Sequence, residues 1–512
     1  MTQLRISEIV IAGGGTAGWM AAAMLARFLE RGFRIRLVES DDIGTVGVGE
    51  ATIPQIALLN AILGFEEPRF LAATKASYKL GIEFDGWREP GHRYMHAFGS
   101  VGRSLGLSPF ATLWRRLDAK GLAEPFGRYS FNEVAARAGR MALGAGKGKA
   151  VPNLFHAYHF DAGLYARLLR SYAEAEGVER IEGKILKVER HGENGDIAAL
   201  HLDGERRVPG QFFIDCTGFR GLLIGGALGS AYVDWSHWLP CNRALAVPCA
   251  RSDAFRPYTQ ALARKAGWQW RIPLQHRTGN GHVYCSDFIS DDEAARILLA
   301  NLDGEALDEP RQLSFTTGRR ERFWVGNCVA VGLAAGFMEP LESTSIQLIQ
   351  AALTRLITYF LPAGPIDPTL SSQFNRLSVK EWERIRDFLV LHYVSNGRVG
   401  EPFWDHCRIM SIPDTLADKV ALFRAGGRVV REDDELFTEE AWSQVMIGQG
   451  ILPESWHPLA DMAEDDELAA FARSIADSYR KAAEALPTHA EYVAAVVAQN
   501  ATEKEMRKES VA

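Results

Sequence analysis

The sequence has little cysteine, no paired cysteine motif and no long apolar run. Its six cysteines never occur as CxxC, which argues against a disulfide framework or a metal site and favours a reducing compartment, the cytoplasm. The N-terminus shows no basic-then-apolar signal pattern. The most apolar stretch, residues 328–338, is too short to span a bilayer and contains two glycines. We therefore expect no membrane partner.

The sequence also lacks an excess of positive charge. It has 57 basic and 64 acidic residues and a formal net charge of −7, which argues against a nucleic-acid partner. Hydrophobic residues make up 47% and charged residues 24% of the 512 residues. These values are typical of a soluble globular enzyme with more than one structural lobe. They leave the oligomeric state open.

Residues 6–40 predict a βαβ unit, in which two strands flank a helix. The helix is expected over residues 19–29, where the spacing of Met20, Met24 and Phe28 puts them on one apolar face. A parallel pair of strands joined by a helix is typical of α/β nucleotide-binding proteins.

The turn of this unit carries a dinucleotide-binding fingerprint, GxGxxG, at Gly13-Gly14-Gly15-Thr16-Ala17-Gly18. The first glycine permits the turn, the second lets the backbone approach a pyrophosphate, and the third lets the helix pack on the strand. The pyrophosphate then binds at the helix N-terminus, where N–H groups are unpaired. Glu39 lies about 20 residues further on, where a carboxylate accepts the ribose hydroxyls. A glycine turn in an unrelated α/β fold is the alternative.

A second fingerprint is missing. Gly144-Ala145-Gly146-Lys147-Gly148 has a similar composition, but no strand precedes it and no helix follows it, so we expect a loop. The chain is therefore not expected to bind NAD(P)H for itself. The nucleotide is expected to be FAD, reduced by another protein.

Four further motifs accompany the fingerprint. They are Gly47-Val48-Gly49-Glu50-Ala51-Thr52-Ile53-Pro54, Tyr78-Lys79-Leu80-Gly81, Trp268-Gln269-Trp270-Arg271-Ile272-Pro273, and Glu339-Pro340-Leu341-Glu342-Ser343-Thr344 after Gly332-Leu333-Ala334-Ala335-Gly336-Phe337. Together they closely resemble the flavin-dependent tryptophan halogenase family. The resemblance runs from Ile6 to about residue 361 and fades in the C-terminal helices. The combination of WxWxIP with the lysine is highly specific.

The resemblance implies an α/β fold: an FAD-binding module like that of flavin monooxygenases, with a helical substrate module. It implies that reduced FAD, oxygen and a halide, bromide or chloride, give hypohalous acid, which passes through a tunnel to halogenate an electron-rich aromatic ring. Indole is the expected ring. A separate flavin reductase would supply the reduced FAD. Ala51, Gly332 and Leu333 would join the fingerprint in binding it.

The resemblance also suggests a division of the chain into four segments. Residues 1–100 would form the first part of the FAD-binding module, and residues 101–180 an inserted part of the substrate module. Residues 181–362, rich in strands, would complete the FAD-binding module and add the tunnel strands, with buried strands at 212–215 and 325–331 and a helix over 345–361. Residues 363–512 would form the helical C-terminal substrate module.

Two residues match the family's catalytic groups. Lys79 matches the lysine that hydrogen-bonds hypohalous acid at the substrate end of the tunnel; a surface lysine is the alternative, and Lys75 is expected to be one. Glu342 matches the glutamate that stabilises the cationic ring intermediate and accepts its proton; an acid placed at a helix N-terminus by the dipole is the alternative. Glu339 is expected to be structural.

Thr344 and Ser345 open the predicted long helix. Their backbone N–H groups are free donors at a positive helix end, and they match the family's halide site. An ordinary helix cap is the alternative. Tryptophan-specific members usually have glycine where this chain has Ser345, which puts the shape of the halide site in question.

The tunnel and the ring-binding site are expected from two motifs. Trp268 and Trp270 match residues that keep organic substrate from the flavin, and Ile272 and Pro273 complete their motif. His96 and Phe98 match residues that sandwich the indole, a flat ring that stacks on aromatic faces. Plain core packing is the alternative for each.

Two other functions remain open. An FAD-dependent hydroxylase or epoxidase would pass oxygen directly to the substrate, but such enzymes lack the pair of WxWxIP and lysine. A non-catalytic FAD-fold binding protein would have no reason to combine Lys79, Glu342 and the tunnel tryptophans. A halide requirement for product formation separates the halogenase from the hydroxylase or epoxidase, and flavin turnover to peroxide separates it from the binding protein.

The C-terminal segment 436–462 bears on the substrate. In tryptophan-specific members the corresponding segment has paired tyrosines and an acid that hold the amino acid, whereas here it contains no tyrosine. Glu439 and Glu440 remain as possible ligands of an amine. Burial of a zwitterion without paired charges costs several kcal/mol per ion. We therefore expect a bare indole, or an indole in a larger molecule, to be preferred over free tryptophan.

Overall fold

The computed structural model describes residues 6–29, 32–43, 49–144, 151–361, 364–432 and 435–509, with side chains to residue 500. Gly47, Val48, residues 145–148 and Pro362, which carried sequence predictions, lie outside these ranges. Over the described ranges, no helix combines the length and apolarity needed to cross a bilayer. All six cysteines fall inside these ranges; each is buried, and none forms a disulfide.

The elements are numbered in chain order through the described residues. The strands are β1 (Glu8–Ala12), β2 (Arg34–Glu39), β3 (Gly49–Ala51), β4 (Ser77–Lys79), β5 (Gly81–Asp85), β6 (Arg93–Ala97), β7 (Ala157–Asp161), β8 (Glu179–Glu182), β9 (Ile185–Arg190), β10 (Ile197–Leu202), β11 (Arg207–Pro209), β12 (Phe212–Asp215), β13 (Tyr232–Asp234), β14 (Arg243–Cys249), β15 (Thr259–Arg264), β16 (Gly267–Pro273), β17 (Thr278–Tyr284), β18 (Arg311–Ser314), β19 (Gly318–Arg320), β20 (Trp324–Val325), β21 (Cys328–Ala330) and β22 (Gly336–Phe337). The helices are α1 (Thr16–Phe28), α2 (Gln55–Ile62), α3 (Glu67–Thr74), α4 (Phe110–Ala119), α5 (Phe131–Arg137), α6 (Ala162–Ala175), α7 (Asp291–Ala300), α8 (Ser345–Arg355), α9 (Pro368–Val394), α10 (Pro402–Ile409), α11 (Asp414–Gly426), α12 (Glu439–Gly448), α13 (Asp465–Glu484) and α14 (His489–Glu509).

The chain divides into two compact units, each made of three segments. Unit 1 comprises Met1–Glu66, Phe160–Ser236 and Phe315–Glu383, and unit 2 comprises Glu67–His159, His237–Ser314 and Arg384–Ala512. The division into four segments suggested by the sequence stays a prediction.

Unit 1 is built on a six-stranded sheet in the order β20-β21-β12-β1-β2-β8. The strands from β21 to β8 pair in parallel, and β20 is antiparallel to β21. All four residues of β12 are buried, because a parallel strand covered on both faces is shielded along its whole length. The predicted βαβ unit is confirmed as β1-α1-β2, with α1 packed against α6 and α8.

Unit 2 contains a seven-stranded sheet in the order β18-β14-β17-β16-β15-β5-β6. Neighbouring strands are antiparallel, except that β15 and β5 are parallel. The WxWxIP motif lies in β16, with β15 and β17 on either side. The helices α10 to α14 follow in this unit, so the prediction of a helical C-terminal part is confirmed.

Three local predictions differ from the structure. The first helix begins at Thr16, earlier than predicted, because the fingerprint turn ends at Gly15. Met20 and Met24 are buried as expected, but Phe28, the last residue of α1, is 47% exposed, so its assignment to the apolar face is wrong. The predicted strand 325–331 is a hairpin of β20 and β21, because Gly326 turns the chain with a φ of 54°.

Candidate active site

The fingerprint glycines meet different surroundings in unit 1. Gly13 has a φ of 104°, and a Cβ there would lie 2.3 Å from the carbonyl oxygen of Cys216. A Cβ at Gly18 would lie 1.8 Å from the carbonyl oxygen of Gly13, which keeps α1 close to β1. Among the described residues, no atom lies within 4 Å of a Cβ built at Gly15. The backbone at Gly15 is therefore open to a ligand at the start of α1.

Glu39, at the end of β2, is fixed against the same turn. A Cβ at Gly14 would lie 1.6 Å from Glu39 Oε2, so only glycine leaves room for this carboxylate. Trp19 Nε1 donates to Oε2 at 3.3 Å, and Arg180 Nε donates to Oε1 at 2.6 Å. These bonds orient a carboxylate that has lone pairs left to accept from a ligand. Sequence reasoning did not find Trp19, although its position in the first turn of α1 is a usable signal.

The other proposed cofactor residues lie in a 3₁₀ helix, Gly332–Ala334, and in the short strand β3 of unit 1. Gly332 has a φ of 66°, and a Cβ added there would lie 2.7 Å from the Cβ of Ala17. The structure therefore brings Gly332 close to α1, the helix that follows the fingerprint turn. Leu333 follows Gly332 and is half-buried, and Ala51 is buried at the end of β3.

The segment around Glu342 is also in unit 1. Glu342 ends a 3₁₀ turn, Pro340–Glu342, and is 1% exposed. Ser343 then takes a φ of 58°, a left-handed conformation that a serine adopts at a cost and that redirects the chain into α8. Glu342 is therefore buried three residues before α8, and both its catalytic role and a favourable interaction with the helix dipole stay predictions.

Thr344 and Ser345 occupy the N-terminus of α8. Thr344 is the N-cap residue and is buried, and Ser345 is the first helical residue. The side chain of Thr344 makes no capping hydrogen bond to the first turn of α8. The first backbone N–H groups of α8 thus lack the partner that an ordinary Ser or Thr cap supplies.

Lys79 is the last residue of β4 in unit 2 and is fully buried. Its Nζ lies 5.3 Å from the centroid of the Phe98 ring. Lys75, in contrast, is exposed. A buried ammonium is costly and uncommon in proteins, so the surface-lysine interpretation of Lys79 is wrong, while Lys75 is the solvated lysine that the sequence predicted.

Trp268 and Trp270 lie on one face of β16, with ring centroids 6.1 Å apart. Both are buried, as are Ile272 and Pro273 further along the strand. Trp270 faces Gly281 of β17, so its indole lies over a position without a side chain. Nε1 of Trp270 is buried and has no hydrogen-bond partner among the described residues.

His96, on β6, is part of an aromatic cluster in unit 2. Its ring lies 5.5 Å from that of Phe388 and 6.1 Å from that of Phe437. Phe388 stacks on Phe437 at 3.8 Å and meets Trp442 edge-on at 4.8 Å. The segment 436–462, which the sequence linked to substrate choice, therefore packs beside His96.

Gln444 of α12 fixes this packing through the main chain. Its side-chain amide accepts a hydrogen bond from Ala97 N at 3.0 Å and donates one to Ala97 O at 3.1 Å. An amide that pairs with both groups of an edge residue acts as one more rung of the sheet. Glu439 and Glu440, in the first turn of α12, are exposed.

Comparisons with known proteins agree on one family. The family model described as tryptophan halogenase matches residues 8–465. The chain is 32% identical to tryptophan 6-halogenase SttH of Streptomyces toxytricini over 96% of this chain and 98% of that protein.

Solved structures give the same result. The flavin-dependent halogenase Xcc4156 of Xanthomonas campestris superposes with a TM-score of 0.93 at 47% identity, over 96% of this chain and 99% of that one. BrvH, a flavin-dependent halogenase of Brevundimonas sp. BAL3, superposes with a TM-score of 0.92 at 41% identity, over the same shares.

Proposed function

The chain belongs to the tryptophan halogenase family, and from this membership we propose that it halogenates an electron-rich aromatic ring, with indole as its substrate class. It is an enzyme, a flavin-dependent halogenase of the α/β fold expected from the sequence. When bound, reduced FAD supplies the reaction with oxygen that converts bromide or chloride into hypohalous acid.

The residues of unit 1 fit an FAD. The open backbone at Gly15 gives a pyrophosphate access to the start of α1, where N–H groups and the helix dipole attract an anion. The Glu39 carboxylate, held by Trp19 and Arg180, is placed to accept ribose hydroxyls. The proposed binding residues are Gly13, Gly15, Thr16, Ala17, Gly18, Glu39, Ala51, Gly332 and Leu333.

Lys79 acts on the hypohalous acid. Its ammonium donates a hydrogen bond to the oxygen and draws electrons from the halogen, which makes the halogen the electrophile. The complete burial of Lys79 strengthens this bond, because hydrogen bonds and charges interact more strongly away from water.

Glu342 acts on the ring. When the halogen adds, the ring becomes cationic, and a carboxylate stabilises that charge and then accepts the displaced proton. Its burial at 1% exposure supports this role over that of a solvated acid.

Halide binds at the N-terminus of α8. The N–H groups that follow Thr344 and Ser345 are donors at the positive end of a helix. The observation that carries this assignment is the N-cap Thr344, whose side chain leaves those donors uncapped.

Trp268 and Trp270 keep organic substrates from the flavin and leave a path for small species. Their rings fill one face of β16, and the buried side chain of Ile272 continues that face, while Pro273 ends the strand. A reductase that is a separate protein supplies the reduced flavin, in agreement with the single dinucleotide fingerprint of the sequence.

The substrate is an indole without a free amino-acid group. The His96 ring lies beside those of Phe388 and Phe437, and Trp442 meets Phe388 edge-on; these rings offer apolar surface and no acid for an ammonium. Glu439 and Glu440 are exposed at the start of α12. A zwitterion placed against these rings would lose its hydration without gaining partners.

The test compares indole with L-tryptophan under identical conditions. The full chain is supplied with FAD, a flavin reductase, NADH and bromide, and products are measured by mass spectrometry. We expect brominated indole only when bromide is present, and a higher kcat/KM for indole than for L-tryptophan. Oxygenated product without halide would show a hydroxylase, and a preference for tryptophan would overturn the substrate class.

A further inference from the structure

Two buried histidines flank the short strand that carries Lys79. His159 is 0% and His489 is 1% exposed. His159 lies on β7, directly opposite Ser77 of β4, and His489 is the first residue of α14. The family match ends at residue 465, so His489 lies beyond the part of the chain that identifies the family.

His489 binds the free edge of β4. This strand lies at the edge of its sheet, and Tyr78 N donates to His489 Nε2 at 3.1 Å. His489 Nδ1 contacts the carbonyl oxygen of Phe255 at 3.0 Å, and the imidazole stacks on the Phe255 ring at 4.4 Å. A buried strand edge leaves N–H groups without partners, and each such group is costly. His489 supplies the acceptor.

The partners fix the tautomer of His489. A backbone N–H can only donate, so Nε2 must carry a lone pair, and a carbonyl can only accept, so Nδ1 must carry the proton. The ring is therefore neutral, and a single proton position satisfies both bonds.

His159 binds the other side of the strand through a directed chain of hydrogen bonds. Ser77 Oγ donates its one proton to the carbonyl oxygen of Pro273 at 2.5 Å. Ser77 must therefore accept from His159 Nδ1–H, at 3.2 Å. His159 Nε2 then accepts from Thr259 Oγ1 at 2.8 Å. These hydrogen bonds link β4 to Pro273, the last residue of the WxWxIP strand.

Both histidines are held neutral by their surroundings. Burial lowers the pKa of His489 to about 4, although the bond to Phe255 opposes this shift. Burial, and after it the charges of Lys79 and His489, lower the pKa of His159 well below its usual range. At neutral pH, neither ring adds a positive charge next to the ammonium of Lys79.

We propose that His159 and His489 are positioning residues, which hold β4 by hydrogen bonds of fixed direction and so fix Lys79 relative to the tunnel strand. The proposal rests on the role given above to Lys79. It predicts that the nitrogen facing β4 matters at each histidine, and that this is a different nitrogen in the two rings.

Replacement of each histidine by asparagine or glutamine distinguishes the roles of its two ring nitrogens. Asparagine can replace the Nδ1 atom of histidine, and glutamine can replace Nε2, because their amides reach about as far as those atoms. At position 489 the bond to β4 uses Nε2, so His489→Gln should keep it and His489→Asn should lose it. At position 159 the bond to β4 uses Nδ1, so His159→Asn should keep it and His159→Gln should lose it.

The experiment measures halogenated product per reduced flavin oxidised in the full chain, with FAD, a flavin reductase and bromide. We expect His489→Asn and His159→Gln to lose on the order of 10- to 100-fold in this ratio, because a misplaced catalytic group costs about that much. We expect His489→Gln and His159→Asn to stay within about threefold of the unmodified chain. His406→Gln, which changes an exposed histidine of unit 2, is the matched control.

A purely structural role would give another pattern. If only side-chain volume counted, the larger glutamine would be the better replacement at both positions, and the thermal unfolding midpoint would follow the product ratio. The same order of Gln and Asn at both positions, or no loss in any variant, overturns the proposal.

The tautomers are measured without turnover. Two-bond ¹H–¹⁵N spectra of histidine-labelled chain near pH 7, assigned with the four variants, should show both rings neutral and protonated at Nδ1. A charged ring, or protonation at Nε2, overturns the proposal.

Normal product from Lys79→Ala would refute the role of Lys79 and this inference with it. Loss of product from Lys79→Ala, together with unaffected histidine variants, would refute the inference alone.

Discussion

Gly281 lies directly opposite Trp270 in the neighbouring strand, and the indole of Trp270 fills the space in which a side chain at position 281 would begin. A Cβ on Gly281 would lie 2.0 Å from Cζ2 of Trp270. The rotamer of a proposed tunnel residue thus depends on a glycine in a different strand.

We expect Gly281→Ala to displace Trp270 and to lower the free energy of unfolding by about 1–3 kcal/mol, the usual cost of overpacking. The product formed per flavin oxidised should fall with it. Urea unfolding and product analysis measure the two effects. Gly192→Ala is the control, because no described atom lies within 4 Å of a Cβ at that position. Unchanged stability of Gly281→Ala would mean that the indole has another rotamer available.

Lys79→Ala should abolish halogenation and leave flavin oxidation intact, because the role proposed for this lysine is on hypohalous acid and not on the flavin. Product analysis alongside oxygen uptake checks this. Lys75→Gln, at an exposed position on the same stretch, should behave as the unmodified chain. Normal product from Lys79→Ala would remove this lysine from the mechanism.

Glu342→Gln should slow product formation by roughly 10²–10⁴, the range for the loss of a positioned acid–base group. The substitution keeps the shape of a side chain that is 1% exposed, so the thermal unfolding midpoint should change little. Single-turnover product formation gives the rate. A variant at full rate, or one that unfolds, would indicate a structural glutamate.

Bromide should be the better halide. The side chain of Ser345 is at the first turn of α8, beside the proposed halide donors. We expect it to loosen a site otherwise suited to the smaller chloride. Bromide is also less strongly hydrated and easier to oxidise. A reaction with equal concentrations of the two halides tests the preference. In the same reaction, Ser345→Gly should raise the share of chlorinated product. Dominant chlorination by the unmodified chain contradicts the prediction.

Stability should fall as the pH is lowered from about 6.5 to 4, partly because of His489. Burial lowers its pKa from 6.5 to about 4, so the unfolded chain binds a proton in this range that the folded chain does not. The contribution of His489 to the free energy of unfolding is fully present above pH 6.5, and it is lost as the pH falls to about 4, its pKa in the folded chain. The shift corresponds to about 3 kcal/mol for one group.

His489→Gln removes this titration. The difference in unfolding free energy between pH 7 and pH 4.5 should therefore be smaller in the variant than in the unmodified chain, as measured by urea unfolding at both values. His159, which interacts with both His489 and Lys79, remains in both proteins. Equal differences would show that folding does not lower the pKa of His489.

The sequence predicted what depends on local chemistry. The roles of Gly13 and Gly18 follow from a turn that any GxGxxG sequence makes, and the βαβ unit follows from periodicity. The exposure of Phe28 was not predictable from the same periodicity, because a helix end can project past the sheet that its middle covers.

What the sequence could not predict depends on residues far apart along the chain. No spacing rule links His489 to Tyr78, or His159 to Thr259, because these pairs meet only after the sheets and the C-terminal helices have formed. The hydrogen bond from Arg180 to Glu39 likewise joins residues that are far apart in the sequence. Local patterns located the proposed reactive groups, and tertiary packing determined what orients them.

The bond between Gln444 and Ala97 bears on directed evolution. Gln444 recognises a main-chain N–H and a main-chain carbonyl, which every amino acid except proline offers at position 97. These two bonds between α12 and β6 are therefore independent of the side chain at position 97. We expect a library that varies Phe437 and Trp442 while retaining Gln444 to change the rings near His96, the proposed ring-binding residue, while the bond that joins α12 to β6 is kept. New substrates could then be selected with little change in the position of the helix.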